Sequence, residues 1–195
     1  MIEFKQTQIA GSVPAIWRGE AKVLPAGFKP KQTFATGSII KRGTPLFVDY
    51  SDMSAAVVKA SVVLSGGTTK LVRVSKAHLF SVGDVVMKNG SDSTTTISAI
   101  DTTNDDYDVL TLAAAITGLA ADDVIVEADA DAKAAAYAPN AVAAADIEFN
   151  GKGIPTIDAA YEAVVLFKNV DYPLLDEWLN GFCLKSNPNI LFIKQ

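Results

Sequence analysis

The chain has 195 residues, 49% of them hydrophobic and 20% charged, with a formal net charge of −5. This composition excludes a globally disordered chain, and no apolar run approaches the ~20 residues of a membrane-spanning helix. One cysteine, Cys183, excludes an internal disulfide framework. The length allows one domain or two small ones, and a domain of this size buries about 70% of its unfolded surface.

The charge is uneven. Residues 1–45 hold seven bases (Lys5, Arg18, Lys22, Lys29, Lys31, Lys41, Arg42) against Glu3 and Glu20, whereas residues 101–131 hold nine acids and no base. The positive end suits an anionic partner surface or is a solvated segment. Its basic residues are scattered without interleaved aromatics, so no nucleic-acid partner is expected. Met1 to Ala15 lacks the basic start and apolar core of a signal peptide. The expected setting is a reducing cytoplasm, or a particle assembled there.

Residues 1–33 carry Gly11, Pro14, Gly19, Pro25, Gly27 and Pro30, which leave no room for a long helix. They read as an extended arm with one short strand at Ile16-Trp17. Trp17, Phe28 and Phe34 are costly to leave in water, so the arm lies either on its own domain or on a neighbouring subunit. Residues 38–50 read as a hairpin or two short strands, with Thr44 held extended by Pro45. Val57 to Leu64 is mostly β-branched and ends at Gly66-Gly67.

Residues 60–127 read as a compact all-β unit, a small barrel or sandwich. Its strands are expected around Leu71–Val74, Val85–Met87, Thr94–Ile100, Tyr107–Leu112 and Val124–Val126, with a hairpin turn at Asn89-Gly90. Residues 128–146 hold eleven alanines. Alanine favours helix, but Pro139 interrupts the run, so a helical turn or connector is expected. Ile147–Phe149 reads as a strand before the turn Asn150–Gly153. Asp158–Glu162 is compatible with a helix start, whereas Ala163–Phe167 favours strand. Pro173–Asn180 is the best helix candidate, with Leu174, Leu175, Trp178 and Leu179 on one face and Gly181 as a stop. Ile190–Ile193 is a last strand.

No stretch carries a catalytic signature. His78 is the only histidine and precedes a strand, as surface or turn histidines do; a dyad with Cys183 has no local support. One His and one Cys are too few for a standard zinc set. Asp101, Asn104, Asp105, Asp106 and Asp108 form an oxygen-rich cluster, and Asp105, Asp106 and Asp108 are its weak cation candidates. The cluster lacks the glycine and glutamate of a helix-loop-helix calcium site, and a solvated hairpin loop is the plainer reading. Ser65–Thr69 lacks phosphate-loop spacing before Lys70, and no serine stands in a G-x-S-x-G context. The residues give no reason to expect an enzyme, a cofactor or a metal.

The stretch Thr36-Gly37-Ser38-Ile39-Ile40-Lys41-Arg42-Gly43-Thr44-Pro45-Leu46 resembles a phrase of tailed-phage capsid decoration and head-fibre proteins, in which G-x-[IV]-[IL]-x-x-G-[TS]-P-[LV] opens a small β-rich domain. The stretches Ala136–Val142 and Ala159–Val165 are similar to the second half of such domains. The resemblance covers about residues 34–58 and 135–195. The "TTTISAID" phrase at 94–101 and the segment His78–Val86 are similar to accessory β modules on phage structural proteins.

The resemblance implies a mainly β protein: an N-terminal arm (1–33), a discontinuous decoration-like domain (34–59 plus 128–195) and an inserted β-barrel or sandwich module (60–127), with one short C-terminal helix. It implies a phage or prophage structural protein on the capsid surface, assembled in the host cytoplasm. Its partners would be the major capsid protein and copies of itself, as a homotrimer, with no membrane or nucleic acid. Trp17, Arg18 and Phe28 are the expected capsid contacts. The alternatives are a carbohydrate-binding or adhesion module, with exposed aromatics such as Phe80 and Tyr107 on the insert, and a small hydrolase with a pocket joining His78 to an acid or to Cys183.

Overall fold

Short β-branched runs separated by Gly, Asn and Asp turns can satisfy their backbone N–H and C=O groups mainly by pairing with one another. The computed structural model describes residues 15–24, 27–131, 133–151 and 156–194. The expectations for residues 1–14, for Lys152-Gly153 and for Pro155 lie outside the described residues.

The early strands are β1 (Lys22–Val23), β2 (Lys29–Pro30), β3 (Ile39–Ile40), β4 (Pro45–Asp49) and β5 (Ser54–Val57). Six strands follow: β6 (Ala60–Leu64), β7 (Leu71–Ser75), β8 (Val85–Lys88), β9 (Thr94–Asp101), β10 (Tyr107–Leu112) and β11 (Val124–Asp129). The remainder are β12 (Ala134–Ala135), β13 (Ala141–Ala143), β14 (Ile147–Glu148), β15 (Ala159–Leu166), β16 (Leu179–Asn180), β17 (Cys183–Leu184) and β18 (Asn187–Ile193). The protein is mainly β. The helix expected over Pro173–Asn180 is a single 3-10 turn, Asp176–Trp178. Trp178 is buried there, and Leu179 already pairs with Leu184 in a hairpin. Sheet pairing therefore takes the residues that would have continued the helix. Among the described residues no helix is long and apolar enough to cross a membrane.

Two ladders organise the molecule. One sheet runs β16-β17-β18-β15-β13-β4-β5-β2, with β1 also on β15. Its β15–β18 and β2–β5 pairs are parallel. The other is a closed ring, β6-β7-β10-β9-β8-β11 and back to β6, antiparallel at every pairing. Closure removes the exposed edges an open sheet would leave. β3 and β4 do not form a hairpin with each other: β3 pairs with β14, and β4 turns through Ser51–Met53 onto β5. The Asn89-Gly90 turn is present. Only Gly90 takes a positive φ (76°), and the Ser91 N–H donates to the Lys88 carbonyl, so this is a type II turn.

The barrel shares a wall with the first sheet. Along β8, Val86 faces the barrel interior while Met87 joins the neighbouring core; along β11, Ile125 points inward while Val126 and Ala128 join that same core. This period-two division buries both faces of β8 and β11, which accounts for the uninterrupted apolar runs Val85–Met87 and Val124–Val126. Within the described residues 15–24 and 27–33, Ile16 and Phe28 belong to the first core, with Trp17, Ala21 and Leu24 packed against it. Ile16 and Phe28 are buried, Trp17 bridges to Val165 and Phe28 to Ile157. Of the two sites expected for the arm, its described residues occupy their own chain.

Lys59 stands where β5 passes into β6, and it is fully buried. Its Nζ lies 2.6 Å from Asp84 Oδ2 and 3.9 Å from Glu127 Oε1, and 5.5 Å from the Phe34 ring centroid. Gln32 closes the network. Its amide donates to Glu127 at 2.6 Å and exchanges hydrogen bonds with both backbone groups of Val57. Burial pushes the Glu127 carboxyl up, opposed by Lys59. A carboxyl raised on folding stabilises at low pH and loses that contribution as pH rises above 4.5. One residue further on, the Ala60 N–H donates to the Tyr172 hydroxyl at 2.7 Å inside the core.

Lys59→Met keeps the stem but strands two carboxylates, and we expect a loss of about 3–5 kcal/mol in urea unfolding. The loss shrinks at low pH as Glu127 protonates, and adding Asp84→Asn and Glu127→Gln recovers most of it. A single-variant loss below about 1 kcal/mol contradicts this account of the junction. Tyr172→Phe leaves a buried N–H without an acceptor and is expected to cost about 1–3 kcal/mol in the same measurement.

Candidate functional site

Strand alternation on β10 turns Asp108, Leu110 and Leu112 inward, and both leucines are fully buried in the barrel core. Asp108 occupies the same face near the strand's start, so it lies at a barrel mouth, 4% exposed. A carboxylate held there needs partners. Lys76, just past β7, supplies one: its Nζ is 2.7 Å from Asp108 Oδ1 and also donates to the Thr102 carbonyl at 3.0 Å. His78 supplies the other, with Nε2 3.1 Å from Asp108 Oδ2.

Both nitrogens of His78 are engaged. Nδ1 accepts the Phe80 N–H at 3.1 Å. Nε2 therefore carries the ring proton and donates it to Asp108. The ring stacks on Phe80, centroids 5.9 Å apart, and Phe80 belongs to the barrel core. Burial lowers the His78 pKa; Asp108 opposes this, Lys76 adds to it and Asp84 opposes it weakly. The imidazole is neutral near pH 7. The surface or turn position expected for His78 is corrected in one respect: it follows a turn, but its side chain is 6% exposed.

These groups line part of a groove of about 640 Å³ between residues 35–41 and the loop 76–82. The groove is chiefly apolar, through Ile39, Leu79, Phe80, Val82 and Ile100. His78 and Asp108 are committed to the fold, whereas Lys41 and Lys76 at its rim keep exposed side chains. A general base needs a free nitrogen near its substrate, and His78 offers none in this arrangement. No hydroxyl or thiol of the described residues bonds to the ring. The pocket sought for a hydrolase thus joins His78 to an acid, but in a structural triad with Lys76. Cys183 lies on β17 in the other ladder and lines no part of this groove.

The remaining expected residues separate. Phe28 is fully buried, so its placement among capsid contacts is corrected: its own core leaves it no surface to offer. Trp17 is half-buried beside Val165, and Arg18 is exposed with its N–H on the Val164 carbonyl. Nearby, Lys41, Arg42 and Lys168 share a notch of about 220 Å³ with Asp146 and Asp171. Asp105, Asp106 and Asp108 do not converge. Asp105 and Asp106 are exposed in the β9–β10 loop, Asn104 caps the Asp106 N–H, and Asp108 points into the barrel mouth. Among the described residues no three His, Cys, Asp or Glu are placed to hold a metal ion. Of the aromatics expected on the barrel surface, Phe80 is corrected because it is buried, whereas Tyr107 is half-buried with Arg73 4.5 Å from its ring centroid. Lys76 carried no sequence signal, because its partner lies 32 residues away across β10.

A histidine whose folded pKa is depressed contributes stability that is present above the unfolded value of 6.5 and lost as pH falls through the folded one. We expect the ring-proton NMR signal of this sole histidine to titrate below 6.5, and the stability gap between the wild type and His78→Gln to narrow as the pH is lowered. Titration above 6.5 contradicts the neutral assignment. Comparisons with protein-family models, with curated proteins and with solved structures found no match for this chain.

Proposed function

We propose that this protein is a structural component of a phage head, a capsid decoration or head-fibre protein that binds the shell and stabilises or ornaments it. The observation that carries the reading is the closed bonding of the His78–Asp108–Lys76 set. The histidine lies in a groove, yet both its nitrogens are spent within the fold. Such a site supports a passive building part rather than a catalyst. The segment Thr36–Leu46, which resembles the decoration-protein phrase, forms β3, a turn and the start of β4.

In this reading the shell-facing surface is the basic one beside the N-terminal segment. Lys41, Arg42 and Lys168 line the notch beside Ile16, against Asp146 and Asp171, and Arg18 is exposed two residues further along the chain; these cations would meet an anionic patch of the major capsid protein. The active form is a homotrimer on the capsid surface, where repeated weak contacts sum to lasting attachment. Removing residues 1–33 is a poor test, because it would take Ile16 and Phe28 out of the core.

Substitution at the surface is the cleaner experiment. Arg18→Glu, which leaves the half-buried Trp17 in place, should reduce co-sedimentation with capsid shells at least about tenfold while leaving the melting temperature within about 3 °C. Analytical ultracentrifugation should give about three times the 20.6 kDa chain mass. A monomer that ignores shells defeats this reading.

A further inference from the structure

At Tyr50, Asn140, Tyr161, Ser186, Asn187 and Asn189 four separate parts of the chain line one cavity of about 280 Å³. The lining has an unusual chemistry: two phenols, three amides and a hydroxyl, with no charged and no aliphatic side chain.

Part of this set is spent on holding the rest still. The Asn140 amide accepts the Val48 N–H at 2.7 Å and donates to the Val48 carbonyl at 2.8 Å, standing in for a strand residue beside β4. Asn187 Nδ2 donates to the carbonyls of Asn140 and Tyr161, both at 2.9 Å, and its Oδ1 accepts the Asn189 N–H at 3.1 Å. Tyr50 meets buried Phe28 edge to face, centroids 6.0 Å apart, yet remains 52% exposed. Its ring is fixed on one side and open on the other. The Tyr50 and Ser186 hydroxyls and the Asn189 amide make no side-chain hydrogen bond with another described residue.

We propose that this cavity binds one or two units of a neutral saccharide. A sugar ring has an apolar C–H face and a rim of hydroxyls that both donate and accept. An exposed phenol ring covers such a face with little entropy to lose, and amides and hydroxyls supply both kinds of hydrogen bond. The exclusions run the same way. The lining itself carries no charged side chain to fix an ionic ligand. An aliphatic ligand would strip water from the Asn189 amide and the hydroxyls without replacing it. The volume is near the low end for small-molecule sites, which suits a ring or two rather than a cofactor. This cavity is lined by none of the residues of the His78 groove or the basic notch, so its occupancy does not depend on the shell-binding reading.

The test is an NMR titration of the full chain with methyl α-glucoside, methyl β-galactoside and N-acetylglucosamine, each to about 50 mM, as weak millimolar binding requires. At least one sugar should move resonances grouped at Tyr50, Tyr161 and Ser186–Asn189. Tyr50→Ala and Asn189→Ala should each weaken that binding about tenfold, and Tyr50→Phe should retain most of it. Exposed Asn189 decides the matter if Tyr50→Ala lowers the melting temperature. No response to all three sugars overturns the proposal. So do responses scattered over the surface, or binding that survives both alanine variants.

Discussion

Lys59 sits at the one place where the chain leaves the first sheet and enters the barrel. A cation there cannot reach water, and desolvating it is costly unless counter-charges and hydrogen bonds are already placed. Asp84 comes from the turn before β8, Glu127 from β11 and Gln32 from the N-terminal segment. The network thus fixes four stretches of chain relative to one another. Apolar packing around it is less selective, because many arrangements of Val and Ala bury similar area. A buried charge with matched partners tolerates few alternatives. The specificity of the junction is therefore electrostatic more than hydrophobic in origin, even where the net energy of the network is small.

The shared wall has a further consequence. β8 and β11 are buried on both faces, so the barrel is not an appendage that could be trimmed without exposing the neighbouring core. Leu79 and Phe80 continue the pattern, one side chain in each core. His78 precedes them and closes the barrel mouth against Asp108. Both imidazole nitrogens are spent within the fold at this barrel mouth, and the proposed function rests on that bonding.

Much of the barrel was legible in the sequence. The runs at Thr94–Ile100, Tyr107–Leu112 and Val124–Val126 match β9, β10 and the first half of β11, because each is bounded by turn residues. The hairpin at Asn89-Gly90 was legible for the same reason. Pro173–Asn180 was misleading: its leucines fit helical spacing, but Trp178 and Leu179 gain more from the core and from pairing with β17 than a short helix could supply. His78 misled in another way. Its burial depends on Asp108, and a partner 30 residues away leaves no local mark.

Local pattern by itself determined which residues extend, where they turn and that no long helix forms among the described residues, since these depend on β-branching, glycine and proline within a few positions. Only the tertiary structure decided the closure of the ring, the two-faced wall, the fate of Phe28 and the meeting of Tyr50 with Tyr161 and Asn189. Those depend on strand order and register, which bring together residues separated by up to 139 positions, for Tyr50 and Asn189, and no short-range signal encodes that separation.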